Sequence, residues 1–418
     1  MFEIKRVPAE HQQAFFRLIR GAYPDWKMRD QKHFEEIAQE DLQSMSGDPQ
    51  RHNFGYYRDG ALLGAMRFFD FEMNAFGSKV PTGGIGMVAV DLLHKKQKIA
   101  KEMLHFFLQY YRERSFPFAI LYPFRPDFYR KMGFGFATQV NRYAVPPEQF
   151  PNRFPGSELS FATPADLEDV FGCYDRYCEQ THGMVYRTNY EKEQHRKYFQ
   201  NQVVLYRKEG ELKGYLTFHF EKQEGYTGFG KNNMVVSELV PLDREALWVF
   251  CSFFHSQKDQ VHRVIIDTQD ENLHHMFNDP RDGSDFLIPF LSHQTNLQGS
   301  GLMYRVLDVA DWIERSKARV FGRQTLTLAL QVRDSFLPEN AFQGTLHFEN
   351  GRLLRVDQSQ ATIQLSMDIA TFSAWIMGVV PLKPLFTYGQ VEVSDEVYLG
   401  VLDELFHVAE KPRCTTIC

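Results

Sequence analysis

Alternating apolar and polar residues predict two β-hairpins of the same design, separated by about 150 residues along the chain. Residues 56–68 and 205–218 each read as a strand, a short polar turn and a second strand. Gly60 and Gly210 supply the positive φ that such turns need. Each hairpin is followed by an apolar strand, an amphipathic helix and a buried strand. Four elements that recur in one order predict two copies of one α/β domain.

The pattern changes in the last third of the chain. Residues 325–332 alternate as in a half-buried strand, and Asn350-Gly351 is a strong turn signal inside a further hairpin. Residues 361–367 are predicted as a strand and 394–407 as an amphipathic helix that Ser394 can cap. The third unit is therefore predicted to be α+β.

The composition is that of a globular protein, with 43% hydrophobic residues, 24% charged residues and a formal net charge of −6. This balance argues against a disordered chain and against a general nucleic-acid or membrane-surface binder. There is no run of 18 apolar residues, and the first residues lack the apolar core of a signal peptide. The five cysteines form no Cys-x-x-Cys pair. We expect a reduced, cytoplasmic protein without a metal.

A turn rich in lysine follows the first apolar strand and leads into a helix. Val88, Ala89 and Val90 end the strand, and Lys95, Lys96 and Lys98 occupy the turn. A helix N-terminus after a strand is an anion site, to which lysines add charge for a pyrophosphate. The alternative is a solvated basic turn on a surface helix.

A second window, residues 126–136, predicts a short helix that ends at Gly133 and a following strand. Tyr129 in this helix can act as a weak acid, or it can simply pack on the sheet. Asp25 and Trp26 can line a pocket for a cationic amine, or they can form a packing point between helix and loop.

These two windows together resemble the GNAT acetyltransferase superfamily, whose phosphate turn follows a pattern close to Arg/Gln-x-x-Gly-x-Gly/Ala. Residues 95–100 match it, with Lys95 at the basic position, Ala100 at the small position and Lys98 where the family has glycine. The chain length, the duplicated unit and the different third unit are similar to one subgroup, the enhanced intracellular survival (Eis) acetyltransferases.

The resemblance implies an α+β fold of two tandem GNAT-like domains and a C-terminal sterol-carrier-protein-like domain. The active GNAT domain is expected at 1–145, a degenerate copy at 146–298, and the sterol-carrier-like domain at 299–418. The degenerate copy is visible in residues 241–246, where the phosphate turn has no run of lysines.

The resemblance also implies acetyl-CoA as co-substrate and assigns site residues to it. The strand residues match those that pair with the pantetheine arm, and Phe124 and Arg125 match positions beside the cofactor. The residues expected around the phosphates are Lys95, Lys96, Gln97, Lys98, Ile99, Ala100 and Lys101. Tyr129 matches the proposed general acid, and the terminal carboxylate, here that of Cys418, matches the general base. Family tails usually end in an aromatic residue rather than cysteine.

The expected reaction is acetyl transfer to an amine, with aminoglycoside-type polyamines as the implied acceptors and a homo-oligomer, a hexamer, as the implied assembly. One alternative is acetylation of lysine side chains or peptide amines at the same site. Another is a catalytically silent protein that binds CoA or a lipid. Neither nucleic acid nor membrane is expected as a partner.

Overall fold

The computed structural model describes residues 2–24, 31–45, 47–154, 159–199, 202–223 and 232–416. Its strands, numbered in chain order, are β1 Phe2–Arg6, β2 Arg51–Arg58, β3 Ala61–Ala75, β4 Ser78–Val90, β5 Phe118–Leu121, β6 Gly135–Phe136, β7 Val140–Val145, β8 Leu159–Phe161, β9 Val203–Lys208, β10 Glu211–Lys222, β11 Asn232–Pro241, β12 Val261–Thr268, β13 Leu287–Ile288, β14 Ser292–His293, β15 Leu297–Gly299, β16 Met303–Val306, β17 Leu326–Arg333, β18 Phe342–Glu349, β19 Arg352–Asp357, β20 Ile363–Asp368 and β21 Val391–Val393.

The α-helices are α1 Gln12–Ala22, α2 Gln31–Met45, α3 Ile99–Arg112, α4 Pro126–Arg130, α5 Leu167–Gln180, α6 Asn189–Lys197, α7 Arg244–Ser256, α8 Val309–Ser316, α9 Ile369–Ile376, α10 Leu382–Thr387 and α11 Leu399–Leu405. Short 3₁₀ helices lie at Ala9–His11, Leu92–His94, Pro147–Gln149, Pro164–Asp166, Leu273–Met276, Pro338–Asn340 and Glu396–Tyr398.

Two compact units make up the chain. The first contains Met1–Ala137, Thr188–Tyr190 and Leu302–Cys418, and the second contains Thr138–Arg187 and Glu191–Gly301. The third domain expected from the sequence therefore shares a compact unit with the first GNAT copy.

The predicted repeat is confirmed by two seven-stranded sheets of the same design, ordered β1-β2-β3-β4-β5-β16-β6 and β15-β7-β12-β11-β10-β9-β8. In each sheet one pair is parallel, β4 with β5 and β11 with β12. Gly60 and Gly210 turn the two hairpins with φ of 82° and 81°, as predicted. Only glycine adopts this left-handed conformation without a steric penalty.

The repeat also contains an exchange of strands that the sequence pattern did not reveal. The antiparallel neighbour of β5 is β16, which follows the second copy in sequence. The corresponding neighbour of β12 is β7, which precedes most of the second copy. The first sheet is thus completed by a strand that follows the second copy in sequence, and the second sheet by a strand that directly follows the first copy.

The third sheet, ordered β19-β18-β17-β20-β21, belongs to the first unit. Its hairpin turns at Asn350 and Gly351 as predicted, with φ of 48° and 76°. The prediction that Ser394 caps the last helix is wrong. Asp395 accepts from the Val397 N–H at the start of the 3₁₀ turn, and Ser394 Oγ instead accepts from the Gln364 N–H.

A mostly apolar core lies between the first sheet and α3. It contains Phe68, Met103, Leu104, Phe107 and Tyr111, all 0% exposed. Phe336 and Leu337, from the segment after β17, complete this core. Part of the third domain is therefore built into the hydrophobic core of the first GNAT copy.

Candidate active site

The two parallel strands of the first sheet separate where the candidate site begins. β4 and β5 pair from Thr82↔Phe118 to Gly84↔Ile120, and β4 then continues to Val90. The pairing of β4 with β3 shifts by one residue in the same region, where Met87 has a φ of 51°. A bulge of this kind bends a strand away from its neighbour. The candidate site is therefore the region at the carboxyl ends of these two parallel strands, where ligand clefts commonly lie.

The end of α1 reaches this bulge. The Tyr23 hydroxyl donates to the Val88 carbonyl oxygen at 3.4 Å. Burial raises the pKa of Tyr23 above its usual value of about 10. Asp25 and Trp26, the predicted acceptor-site residues, lie outside the described residues but follow Tyr23 closely in sequence.

The lysine turn has a strained backbone that the sequence did not predict. Lys96 and Lys98 have φ of 64° and 65°, in the left-handed region. A non-glycine residue costs about 1–2 kcal/mol there. Lys98 is also the N-cap of α3, and its side chain makes no capping hydrogen bond. The first N–H groups of a 14-residue helix are thus left for another partner.

The side chains of this turn divide into two groups. Lys95, Lys96, Gln97 and Lys98 are exposed, and none of the three lysines forms an ion pair within the described part of the chain. Ile99 is 1% exposed and packs in the core. Ala100 packs against that core, so these two residues present only their backbone to a ligand.

The ammonium of Lys101 lies 5.6 Å from the centre of the Phe336 ring. This cation–π contact directs the Lys101 side chain toward Phe336, in the segment after β17 of the third domain, rather than toward the other lysines.

Sequence reasoning missed two polar contacts of the turn. Arg58, at the end of the first hairpin strand, donates to Gln97 Oε1 at 2.6 Å and brings a further cation to the turn. Asp91 accepts from the Leu93 N–H and pairs with His94 Nδ1 at 2.7 Å, which holds the pKa of Asp91 below its usual value. Arg58 precedes Gly60, the turn glycine of the repeat, and a cation at this position was the sequence signal that could have pointed to the contact with Gln97.

The second copy has a differently charged helix start. Asp243 caps α7 by accepting from the Ala246 N–H at 2.8 Å. Lys208, which occupies the position of Arg58 in the repeated hairpin, pairs with Glu245 at 2.7 Å. Carboxylates therefore occupy the place where the first copy has exposed lysines.

Tyr129 lies on α4, in the segment that follows β5. Pro126 starts this helix, which ends at Arg130 rather than at Gly133 as predicted, and Gly133 ends the following turn with a φ of 83°. Tyr129 is 3% exposed, and its ring meets those of Phe128 and Phe134 edge to face. Its backbone oxygen accepts from Met132 N and Phe134 N, at 2.9 and 3.2 Å.

Phe124 and Arg125 lie on the surface before α4. Phe124 is 63% exposed and contacts the Tyr129 ring edge to face at 5.8 Å. Arg125 forms an exposed ion pair with Asp127 at 2.6 Å. On β4's side, Leu92 and Leu93 are 63% and 88% exposed. Apolar side chains thus lie exposed after each of the two separating strands.

The C-terminal tail returns to the first sheet. Cys414 and Thr416 are 4% and 6% exposed, although they belong to no helix or strand. Burial raises the pKa of the Tyr304 phenol well above its usual value, and nearby Cys414 and Tyr122 contribute to the rise. Tyr304 pairs with Ile120 of β5, in the sheet that carries the candidate site. Cys418, the predicted base, lies outside the described residues.

Among the described residues, no group of three or more His, Cys, Asp or Glu side chains is arranged to hold a metal ion. In the same part of the chain, no helix is both long and apolar enough to cross a membrane. Cys173, Cys178, Cys251 and Cys414 are buried, and burial raises the pKa of Cys251 to about 12.

Comparison with known protein families agrees with this geometry. Acetyltransferase (GNAT) domain families match residues 3–137 and 182–306, and a sterol carrier protein domain family matches residues 314–415. An uncharacterized N-acetyltransferase of Streptomyces avermitilis is 26% identical over 377 residues, which cover 84% of this chain and 85% of that protein. The chain thus contains two acetyltransferase (GNAT) domains followed by a sterol carrier protein domain.

Solved structures define the architecture further. A GCN5-related N-acetyltransferase from Anabaena variabilis superposes with a TM-score of 0.79 at 17% identity, over all of both chains. Eis1 from Mycobacterium abscessus superposes with a TM-score of 0.77 at 19% identity, again over all of both chains. The predicted Eis-like fold, with two GNAT domains and a sterol-carrier-like domain, is confirmed.

Proposed function

We propose that the cleft of the first GNAT copy transfers the acetyl group of acetyl-CoA to an amine of a polyamino acceptor. The observation that carries this proposal is the left-handed backbone of Lys98 at the start of α3. Strain of this kind persists where function requires it. Here it leaves the helix N–H groups without a capping side chain, next to three exposed lysines, and this combination suits a pyrophosphate.

The described residues fit the two ends of acetyl-CoA. Lys95, Lys96 and Lys98 would hold the phosphates, together with the backbone of residues 97–101. The β4 edge at Val88–Val90, beyond its pairing with β5, would bind the amide groups of the pantetheine arm. Phe124 and Arg125 would lie beside the cofactor.

The second copy is proposed not to bind acetyl-CoA. Asp243 already caps α7, and Glu245 neutralises Lys208. A pyrophosphate would meet like charge there, which destabilises binding.

The reaction needs one base and one acid. The acceptor nitrogen attacks the thioester carbonyl carbon, the C–N bond forms, the C–S bond breaks, and the amine proton passes to a base. Tyr129 is proposed to protonate the departing CoA thiolate, and the carboxylate of Cys418 is proposed to take the amine proton. A backbone N–H near Val88 would stabilise the oxyanion. The burial of Cys414 and Thr416 supports a tail that is held rather than free in solvent.

Aminoglycoside-type polyamines are the proposed acceptors, with Asp25 and Trp26 lining the acceptor pocket, and lysine side chains of peptides are the alternative. The resemblance to Eis enzymes supports the first class. The proposed assembly is a homohexamer in the cytoplasm. A hairpin formed by β13 and β14, whose Phe290 is 90% exposed, supports association of chains.

The deciding experiment is an acceptor panel of aminoglycosides, aliphatic polyamines and lysine peptides, assayed by release of the CoA thiol and by mass spectrometry of the product. We expect an acceptor mass increase of one or more acetyl groups for polyamines. The matched control is the Lys96→Ala/Lys98→Ala variant, which should need more acetyl-CoA for the same rate. Thiol release without an acetylated acceptor in every arm would refute amine transfer.

A further inference from the structure

We propose that the sterol-carrier-like domain positions Tyr129, by holding the last residue of α4 and the turn that follows this helix. The inference rests on the proposed role of Tyr129 as the acid. Two ion pairs form the clamp, one at Arg130 and one at Arg305.

The first ion pair joins α4 to the start of α9. Arg130, the residue after Tyr129, donates to both carboxylate oxygens of Asp368, at 3.1 and 3.3 Å. The same guanidinium donates to Thr371 Oγ1 at 2.8 Å and to Gln390 Oε1 at 3.1 Å. Asp368 is itself fixed, because it caps α9 by accepting from the Thr371 N–H. Three partners from the third domain thus fix the direction of one α4 side chain.

The second ion pair lies below the turn that follows α4. Arg305 and Asp334 are both 0% exposed at their side chains and pair at 2.6 Å. Arg305 also donates to the Met132 carbonyl at 2.6 Å. The other Asp334 oxygen accepts from Phe336 N and Leu337 N, at 3.1 and 2.9 Å.

Gly133 leaves the space that this arrangement requires. A Cβ atom on Gly133 would lie 1.3 Å from Arg305 Nη1. The turn after α4 is therefore shaped around the guanidinium, and the guanidinium is held by the third domain's Asp334.

The clamp matters for function because α4 is too short to be stable without contacts to other segments. The helix has five residues, whereas isolated helices need about 12–15 residues to be even marginally stable. An acid must also be held in a productive geometry, since small misplacements lower the rate by large factors. The third domain supplies that rigidity at two successive points after Tyr129, the last residue of α4 and the turn that follows.

A double-mutant cycle tests the proposal on the full-length chain. Arg130→Met should lower kcat by about tenfold and leave the KM for acetyl-CoA within about twofold. In the Tyr129→Phe background the same substitution should change kcat by less than about twofold, because a positioning residue has no effect once its target is gone. A merely structural residue would lower kcat equally in both backgrounds.

Arg142→Met is the matched control, since Arg142 forms a similar two-oxygen pair with Asp267 in the second unit, at 2.8 and 2.7 Å. It should leave kcat unchanged. Equal losses from Arg130→Met in both backgrounds, or no loss in either, would overturn the clamp and leave Tyr129 as the acid. Full activity of Tyr129→Phe alone would overturn the acid role and the clamp with it.

Discussion

Replacement of Gly133 by alanine tests how tightly the turn after α4 is built. The residue has a φ of 83°, which costs alanine about 1–2 kcal/mol. The new Cβ atom would also displace the Arg305 guanidinium, since it would lie 1.3 Å from Nη1. Breaking a buried ion pair typically costs about 3–5 kcal/mol. We therefore expect Gly133→Ala to lower the free energy of unfolding of the first unit by about 4–7 kcal/mol.

Gly60→Ala provides a matched control, because Gly60 has a φ of 82° and nothing within 4 Å of its added Cβ atom. It should cost only the backbone part, about 1–2 kcal/mol. Urea unfolding followed by tryptophan fluorescence measures both variants, with the buried Trp312 and Trp375 as probes of the first unit. If the two alanine variants unfold at the same urea concentration, Arg305 is not held against Gly133 and the buried pair does not fix this turn.

Four further predictions concern the site. Lys98→Gly should raise the free energy of unfolding by about 1 kcal/mol, measured by thermal melting, because glycine tolerates the left-handed backbone. The same change should weaken acetyl-CoA binding by about 1–3 kcal/mol, measured by calorimetry. Unchanged affinity would argue against a contact between Lys98 and a phosphate. Tyr129→Phe should lower kcat by about 10²–10⁴ with little change in the KM for acetyl-CoA, and two residues added after Cys418 should also lower kcat. Full activity of both variants would refute the proposed acid and base. Calorimetric titration should give one acetyl-CoA site per chain, and two equivalent sites would contradict a silent second copy. The pKa of Asp368 is lowered because hydrogen bonding to the Thr371 N–H and the charge of Arg130 outweigh the effect of burial. The Asp368 carboxylate therefore stabilises the folded protein above the unfolded pKa of about 4, and this stabilisation is lost as pH falls toward the folded pKa. The wild type should accordingly be more stable than Asp368→Asn at pH 7 and lose that advantage on acidification, and a constant difference in melting temperature between pH 7 and pH 3 would contradict the ion pair.

The repeat could be predicted from the sequence because it depends on local patterns. Gly60 and Gly210 mark turns that only a few residues can make, and the alternation around them fixes strands. The lysine turn was visible for the same reason, since three cations after a buried strand have few structural explanations. The short helix before Gly133 was found through this glycine, although the helix itself ends at Arg130.

The contacts between distant segments could not be predicted. Two similar sheets could each accept β16 as a neighbouring strand. The residue pattern of β16 does not indicate that it pairs with β5 of the first sheet. The strain at Lys98 was invisible because a lysine predicts no left-handed backbone. Arg305 and Asp334 were overlooked because buried charges are rare and no local spacing links them.

The strand exchange has a consequence for how the protein is made. As the chain leaves the ribosome, the first sheet remains open along β5 until β16 has been synthesised, after nearly all of the second copy. An unpaired strand edge is a template for association with other chains. A nascent chain that ends at Ala137 should therefore be held by chaperones or aggregate, whereas one extended past Leu337, which has both β16 and the residues that complete the core, should become resistant to protease. The enzyme that carries the proposed acetyl-CoA site in its first third can thus assemble that site only late in translation.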